Sequence, residues 1–125
     1  MKQETQEEEK GKGVELRDIQ LLTLFPVLYK YYDNNPVGTV RVKNFESRTA
    51  EDITIEFYME RYMDIPMEMP SFTLKGGEEA VIDLFGLFTQ DMMNITEGAK
   101  ASARIDISYT MGGRKSRINT PLYWN

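Results

Sequence analysis

The segments Thr39-Val40-Arg41-Val42-Lys43-Asn44 and Asp52-Ile53-Thr54-Ile55-Glu56-Phe57-Tyr58-Met59 alternate apolar side chains with charged or hydroxylic ones. A period of two belongs to an antiparallel strand with one face buried and the other in water. Between them runs Phe45-Glu46-Ser47-Arg48-Thr49-Ala50-Glu51, a connection too polar to be buried. The two strands are expected to pair with each other and to form the heart of a small β-sandwich.

The rest of the chain supplies further strands. Residues 15–24 read as a first strand, with Leu16, Ile19, Leu21 and Leu22 available to the core. Residues 25–32 (Phe-Pro-Val-Leu-Tyr-Lys-Tyr-Tyr) read as an edge strand or a kink, because Pro26 has no N–H for a ladder. Asp33-Asn34-Asn35-Pro36 is a turn. Pro66, Pro70 and Gly76-Gly77 bracket a short segment at 71–74, and residues 80–85 form another strand.

Residues 88–98 do not alternate and are expected to cross between sheets with a helical turn. Residues 101–109 give the longest alternation, with Ala101, Ala103, Ile105, Ile107 and Tyr109 on the inward phase. Gly112-Gly113 turns the chain, and residues 114–123 return along it with Ile118, Thr120 and Leu122 on one phase. About seven strands at this spacing predict an all-β fold, an immunoglobulin-like antiparallel β-sandwich over residues 14–125. Residues 1–13 (MKQETQEEEKGKG) hold no aliphatic residue after Met1 and are expected to be a disordered linker.

Composition narrows the chemistry. A chain of 125 residues is one domain, able to bury roughly two-thirds of the surface its unfolded form exposes. It therefore needs no disulfide or metal to fold, and it has no cysteine. The net charge of -5 speaks against nucleic acid, which needs a concentrated basic face, and against electrostatic attachment to a membrane. Histidine is absent as well. Common zinc sites, Ser-His-Asp and Cys-His pairs and the usual general base near neutral pH are thus lacking. Most carboxylates fall on outward strand phases or in turns, so a carboxylate-based glycosidase is the weakest reading, and no enzyme, cofactor or metal is expected. No apolar stretch has the form of a signal peptide or the length of a transmembrane helix.

Several features invite a binding role. Phe25, Tyr29, Tyr31 and Tyr32 can form a stacking platform, but the favoured expectation is that alternate rings fill the core and the others cover an edge. Met59, Met63, Met67, Met69, Met92 and Met93 can line an adaptable groove or fill irregular space at the sandwich ends; the second is favoured. In the loop that holds three of these methionines, Tyr62, Met63, Ile65, Met67 and Met69 are the candidate partner-binding residues, because a loop at the end of a sandwich is where such domains bind. Asp33-Asn34-Asn35 and Glu78-Glu79 read as turn chemistry rather than calcium ligands. Arg114, Lys115 and Arg117 form a basic patch that reads as a solvated face or an edge guard.

The run Leu24-Phe25-Pro26-Val27-Leu28-Tyr29-Lys30-Tyr31-Tyr32, then Asn35-Pro36-Val37-Gly38, then Val40-Arg41-Val42-Lys43-Asn44 resembles the opening of an immunoglobulin-like domain in large bacterial extracytoplasmic proteins, of the CARDB type. Ile55-Glu56-Phe57-Tyr58, Tyr62-Met63-Asp64-Ile65-Pro66 and Pro121-Leu122-Tyr123-Trp124-Asn125 continue the resemblance in order. It implies a non-catalytic module of a larger protein of the periplasm or cell envelope, acting as a spacer and a protein-interaction domain. Its expected partners are other proteins or neighbouring domains of the same polypeptide. An exposed edge strand can also accept another chain. The alternative is a carbohydrate- or peptidoglycan-binding domain that uses Tyr31, Tyr58 or Trp124.

Overall fold

In the computed structural model, which describes residues 12–95 and 101–124 (124 by its backbone alone), the alternating segments form eight strands. β1 (Val14–Leu21), β2 (Gly38–Asn44) and β6 (Glu79–Leu84) make one sheet in the order β1-β2-β6. β3 (Ala50–Met59), β4 (Met67–Glu68), β5 (Phe72–Leu74), β7 (Ala101–Met111) and β8 (Arg114–Trp124) make the other, in the order β4-β3-β7-β8 with β5 also on β3. Every pairing is antiparallel. With β1, β2, β6 opposite β3, β7, β8, the arrangement is that of an immunoglobulin-like sandwich whose A, B, E strands face C, F, G. The expected linker, residues 1–13, lies outside the described residues up to position 11.

The expected pairing of the 39–44 and 52–59 strands is corrected. β2 and β3 lie in opposite sheets, and the polar connection between them crosses from one sheet to the other. Their alternation then aims both apolar faces inward. Val40, Val42, Ile53, Ile55 and Phe57 are completely buried, and Ile105 and Ile107 meet them from β7. Each such side chain contributes about 1.5–3 kcal/mol on leaving water. The inward set expected for β7 is buried throughout.

Local chemistry explains the other departures. β1 ends at Leu21, and a bulge interrupts its register between Arg17 and Gln20, where Asp18 takes φ 48°. The extra residue lets Leu16 and Ile19, three positions apart, both pack on the core. Leu22 is left exposed rather than buried. Residues 25–32 are not a strand. Pro26–Asp33 is a 3₁₀ segment kinked at Leu28, with Pro26 at its start, where a missing N–H costs nothing and the fixed φ suits the turn. A second 3₁₀ segment, Gln90–Asn94, supplies the helical turn in the 88–98 crossing, of which residues 96–98 lie outside the described part.

One buried polar side chain fastens the end of the sandwich where β2 stops. Asn44 is completely buried. Its Nδ2 donates to the carbonyls of Arg48 at 2.7 Å, Leu74 at 3.2 Å and Lys75 at 3.3 Å, and its Oδ1 accepts from the Glu46 N–H at 2.9 Å. Its backbone joins the β5–β6 turn, donating to Glu78 O at 2.9 Å and accepting from Gly77 N at 3.0 Å. Gly76 fits because a Cβ there would lie 2.5 Å from the Ser47 carbonyl oxygen. Asn44 thus ties together two of the three places where the chain changes sheets, the β2–β3 and β5–β6 connections. Replacing Asn44 by Ala orphans buried donors and acceptors and is expected to lower stability by about 2–3 kcal/mol. Urea unfolding measures this, and an unchanged midpoint would contradict the role assigned to Asn44.

Candidate functional site

The opposite end is built differently. Residues 22–37 connect β1 to β2, far more chain than the few residues a hairpin needs, and such connections usually carry function. The 3₁₀ segment inside it is held down by Tyr32. Its buried hydroxyl accepts from the Phe25 N–H at 3.0 Å, and its ring meets Phe88 edge-on at 5.9 Å. Phe88 bridges to Met63, and the Thr89 N–H donates to the Tyr62 carbonyl at 2.8 Å. The β1–β2 connection, the loop after β3 and the second 3₁₀ segment therefore form one surface.

That surface is apolar. Phe25 is 56% exposed and Tyr31 55%, with Leu22, Val27 and Leu28 exposed beside them. Ile65 and Leu87 are exposed on the adjoining loops, and Met93 on the second 3₁₀ segment. Leu22, Phe25, Leu28, Tyr31, Tyr32 and Pro36 wall a cleft of about 670 Å³. Gln20, Asn35, Thr39 and Asp83 place a few polar groups in it. Largely apolar walls with scattered polar groups are the usual make-up of a binding cleft, and a contiguous exposed apolar patch of this kind marks an interaction site.

The sequence-predicted residues fare unequally. Met63 and Met69 are 3% and 2% exposed and belong to the core. The Met63 sulfur accepts from the Met59 N–H at 3.2 Å, and the Met69 N–H donates to the Ile55 carbonyl at 2.8 Å. Their flexible thioethers fill the closing layer of the sandwich, which removes both from a partner-binding surface. Tyr62 and Met67 are half-buried, and Ile65, 66% exposed, stands on the apolar end.

Of the four rings at Phe25, Tyr29, Tyr31 and Tyr32, Tyr32 is buried and Tyr29 partly so, whereas Phe25 and Tyr31 face solvent. The favoured core reading therefore holds for Tyr32, and in part for Tyr29, which packs against the core from its edge. Leu22, Val27 and Leu28 were not anticipated as surface residues. The available signal was Pro26 heading an aromatic run in a connection too long for a hairpin.

The outer face of the second sheet is occupied by charge pairs. Asp106, the one buried carboxylate among the described residues, accepts from Arg117 at 2.8 Å and from Arg104 at 3.2 Å. Arg117 also reaches Glu56 at 3.2 Å. Hydrogen bonds donated to Asp106 first, then to Glu56, hold the Arg117 guanidinium above its ordinary pKa, and Arg117 of the expected basic patch is part of the sheet face. Arg104 lies 4.7 Å from the Tyr58 ring centre, covering one face of a proposed sugar-stacking residue. The Trp124 side chain lies outside the described residues. Asn35 Nδ2 donates to the Tyr31 carbonyl at 2.9 Å and Glu78 accepts from the Lys75 N–H at 2.6 Å, which is turn chemistry. No group of three or more Asp or Glu among the described residues is arranged to hold a metal ion, and no described helix is long and apolar enough to cross a membrane.

The geometry separates structural from exposed residues at this end. Tyr32→Ala is expected to cost about 3–5 kcal/mol, while Val27→Ser and Phe25→Ser stay within roughly 0.5 kcal/mol of the parent. Urea denaturation of the three variants checks this, and a large loss for Val27→Ser would contradict the surface as described. Among known proteins, no family model, no curated protein and no solved structure matches the chain.

Proposed function

We propose that this chain is a non-catalytic immunoglobulin-like module that docks a protein surface, from a partner or a neighbouring domain, through its apolar end. The observation that carries the reading is the gathering of Leu22, Phe25, Val27, Leu28, Tyr31 and Ile65 at one end of the sandwich. Burying such an end against another protein releases ordered water, and its aromatic rings supply large contact area at low entropic cost. The spacer part of the reading is supported by the strands: the first residue of β1 pairs with Asn44 at one end, while β8 finishes beside Ala101 at the other. A rigid sandwich so threaded sets the separation of whatever precedes and follows it. The non-catalytic part is supported by a chain without His or Cys and by a buried carboxylate neutralised by two arginines. The resemblance to CARDB-type domains supports a place in a bacterial periplasm or envelope protein.

The glycan alternative would use the open ring of Tyr31 in the cleft. Two arms of one experiment divide the readings. A photoreactive residue at position 27 in the source cells is expected to give a defined protein adduct that Phe25→Ser/Leu28→Ser removes, with none from position 115 at the other end. Soluble peptidoglycan fragments titrated onto the purified chain are expected to leave the Tyr31 ring resonances unmoved. No adduct from position 27, together with a saturable Tyr31 shift, would replace the protein reading with the glycan one.

A further inference from the structure

The four sheet edges are not equally open. β4 and β5 are two and three residues long. β1 is broken by its bulge at Asp18. β8 carries Arg114, Lys115, Arg117 and Pro121. Short length, bulges, cations and proline are the devices that keep an edge from pairing with foreign strands. β6 has neither bulge nor proline: its register on β2 runs unbroken from Lys43↔Glu79 to Gly38↔Leu84, and no described strand pairs with its far side.

The free groups of that edge can be assigned. The Asn44 N–H reaches the Glu78 carbonyl at 2.9 Å, and the Val37 N–H reaches that of Leu84 at 2.8 Å. In an antiparallel ladder the bonding direction alternates, so Ala80, Ile82 and Leu84 turn their amides to β2 while Glu79, Val81 and Asp83 turn theirs outward. The side chains alternate with them. Val81 is 59% exposed, with Glu79 and Asp83 also on the solvent face, whereas Ala80 and Ile82 lie toward the core. Beside that inner face, because β5 pairs with β3 instead of β6, runs an apolar groove of about 470 Å³ walled by Met69, Phe72, Leu74, Ala80, Ile82 and Phe85.

Charge decides what fits. Glu79 is shared with Arg41 at 3.6 Å, but Asp83 faces Thr39 across the ladder and has no cation within ion-pair distance among the described residues. A second copy of β6 aligned antiparallel on Val81 would set Glu79 against Asp83 twice, which is repulsive. Self-pairing is therefore disfavoured and a cationic strand is favoured. We propose that the outer edge of β6 accepts an extended segment of another polypeptide in antiparallel pairing, with Lys or Arg opposite Asp83 and Glu79 and apolar side chains opposite Ala80, Val81 and Ile82. The outward amides hold the backbone, the groove takes the two inward side chains, and the acidic pair selects the sign of the flanks. This site is separate from the apolar end and does not rest on its role.

The test is a titration of the ¹⁵N-labelled chain with the capped peptide Gly-Lys-Val-Tyr-Val-Lys-Gly, and with its counterpart in which both Lys are Glu. The expected result is saturable shifts and slowed exchange at the amides of Val81 and Asp83, with the Glu peptide roughly ten-fold weaker. Val81→Pro removes an outward donor without breaking a bond to β2 and is expected to abolish binding. Glu79→Lys/Asp83→Lys, which inverts both flanks, is expected to reverse the preference so that the Glu peptide binds more tightly, an outcome a loss of fold cannot produce. No shift along β6, equal binding of the two peptides, or an unchanged preference in Glu79→Lys/Asp83→Lys would each overturn the proposal.

Discussion

The side chain of Asn44 is the interaction on which the rest depends. A sandwich has to pass its chain between two sheets, and at each crossing backbone groups leave their ladders and still need partners. Here the β2–β3 and β5–β6 crossings lie side by side, and one buried amide serves both, bonding to Arg48, Leu74, Lys75 and Glu46. With that corner fixed, β3 is delivered to the second sheet and β6 returns to the first. β5 stays on β3, which leaves the far side of β6 and its apolar groove unpaired.

Fixing one end so economically frees the other. The crossings near Asn44 are short and hydrogen-bonded, while the opposite end is made of residues 22–37, the loop after β3 and the Gln90–Asn94 segment. These are closed by side-chain packing, chiefly Tyr32 on Phe88 with Met63 and Met92 beneath the surface. Packing without ladders tolerates exposed apolar residues on top, and Phe25, Val27, Leu28 and Tyr31 stand there. The division matches a general pattern in which a rigid scaffold holds a less constrained surface for recognition.

Most of the strands were legible in the sequence because alternation is a local property. β2, β3, β6, β7 and β8 begin and end within about two residues of where polarity changes phase, a margin within which strand ends are ordinarily assigned. What was hidden was non-local. That β2 and β3 belong to opposite sheets depends on where β6 and β7 pair. The role of Asn44 depends on carbonyls some thirty positions away, and nothing in its neighbourhood distinguishes it from any polar residue at a strand end. Met63 and Met69 looked like loop surface because proline and acidic residues surround them, yet the space between the sheet ends draws them inward. The aromatic run was legible only in part: Pro26 signals an edge strand or a kink, and it opens a 3₁₀ segment kinked at Leu28.

The central claim is that one end of the molecule, fastened by Asn44, carries stability, and the other carries the less constrained apolar surface proposed for docking. Residue-resolved amide hydrogen exchange under native conditions tests it most directly. The account predicts that the amides of Asn44, Glu46 and Gly77 exchange only with global unfolding, while those of Leu28, Asn34 and Met92 open at markedly lower free energy. The reverse order, or uniform protection at both ends, would contradict it.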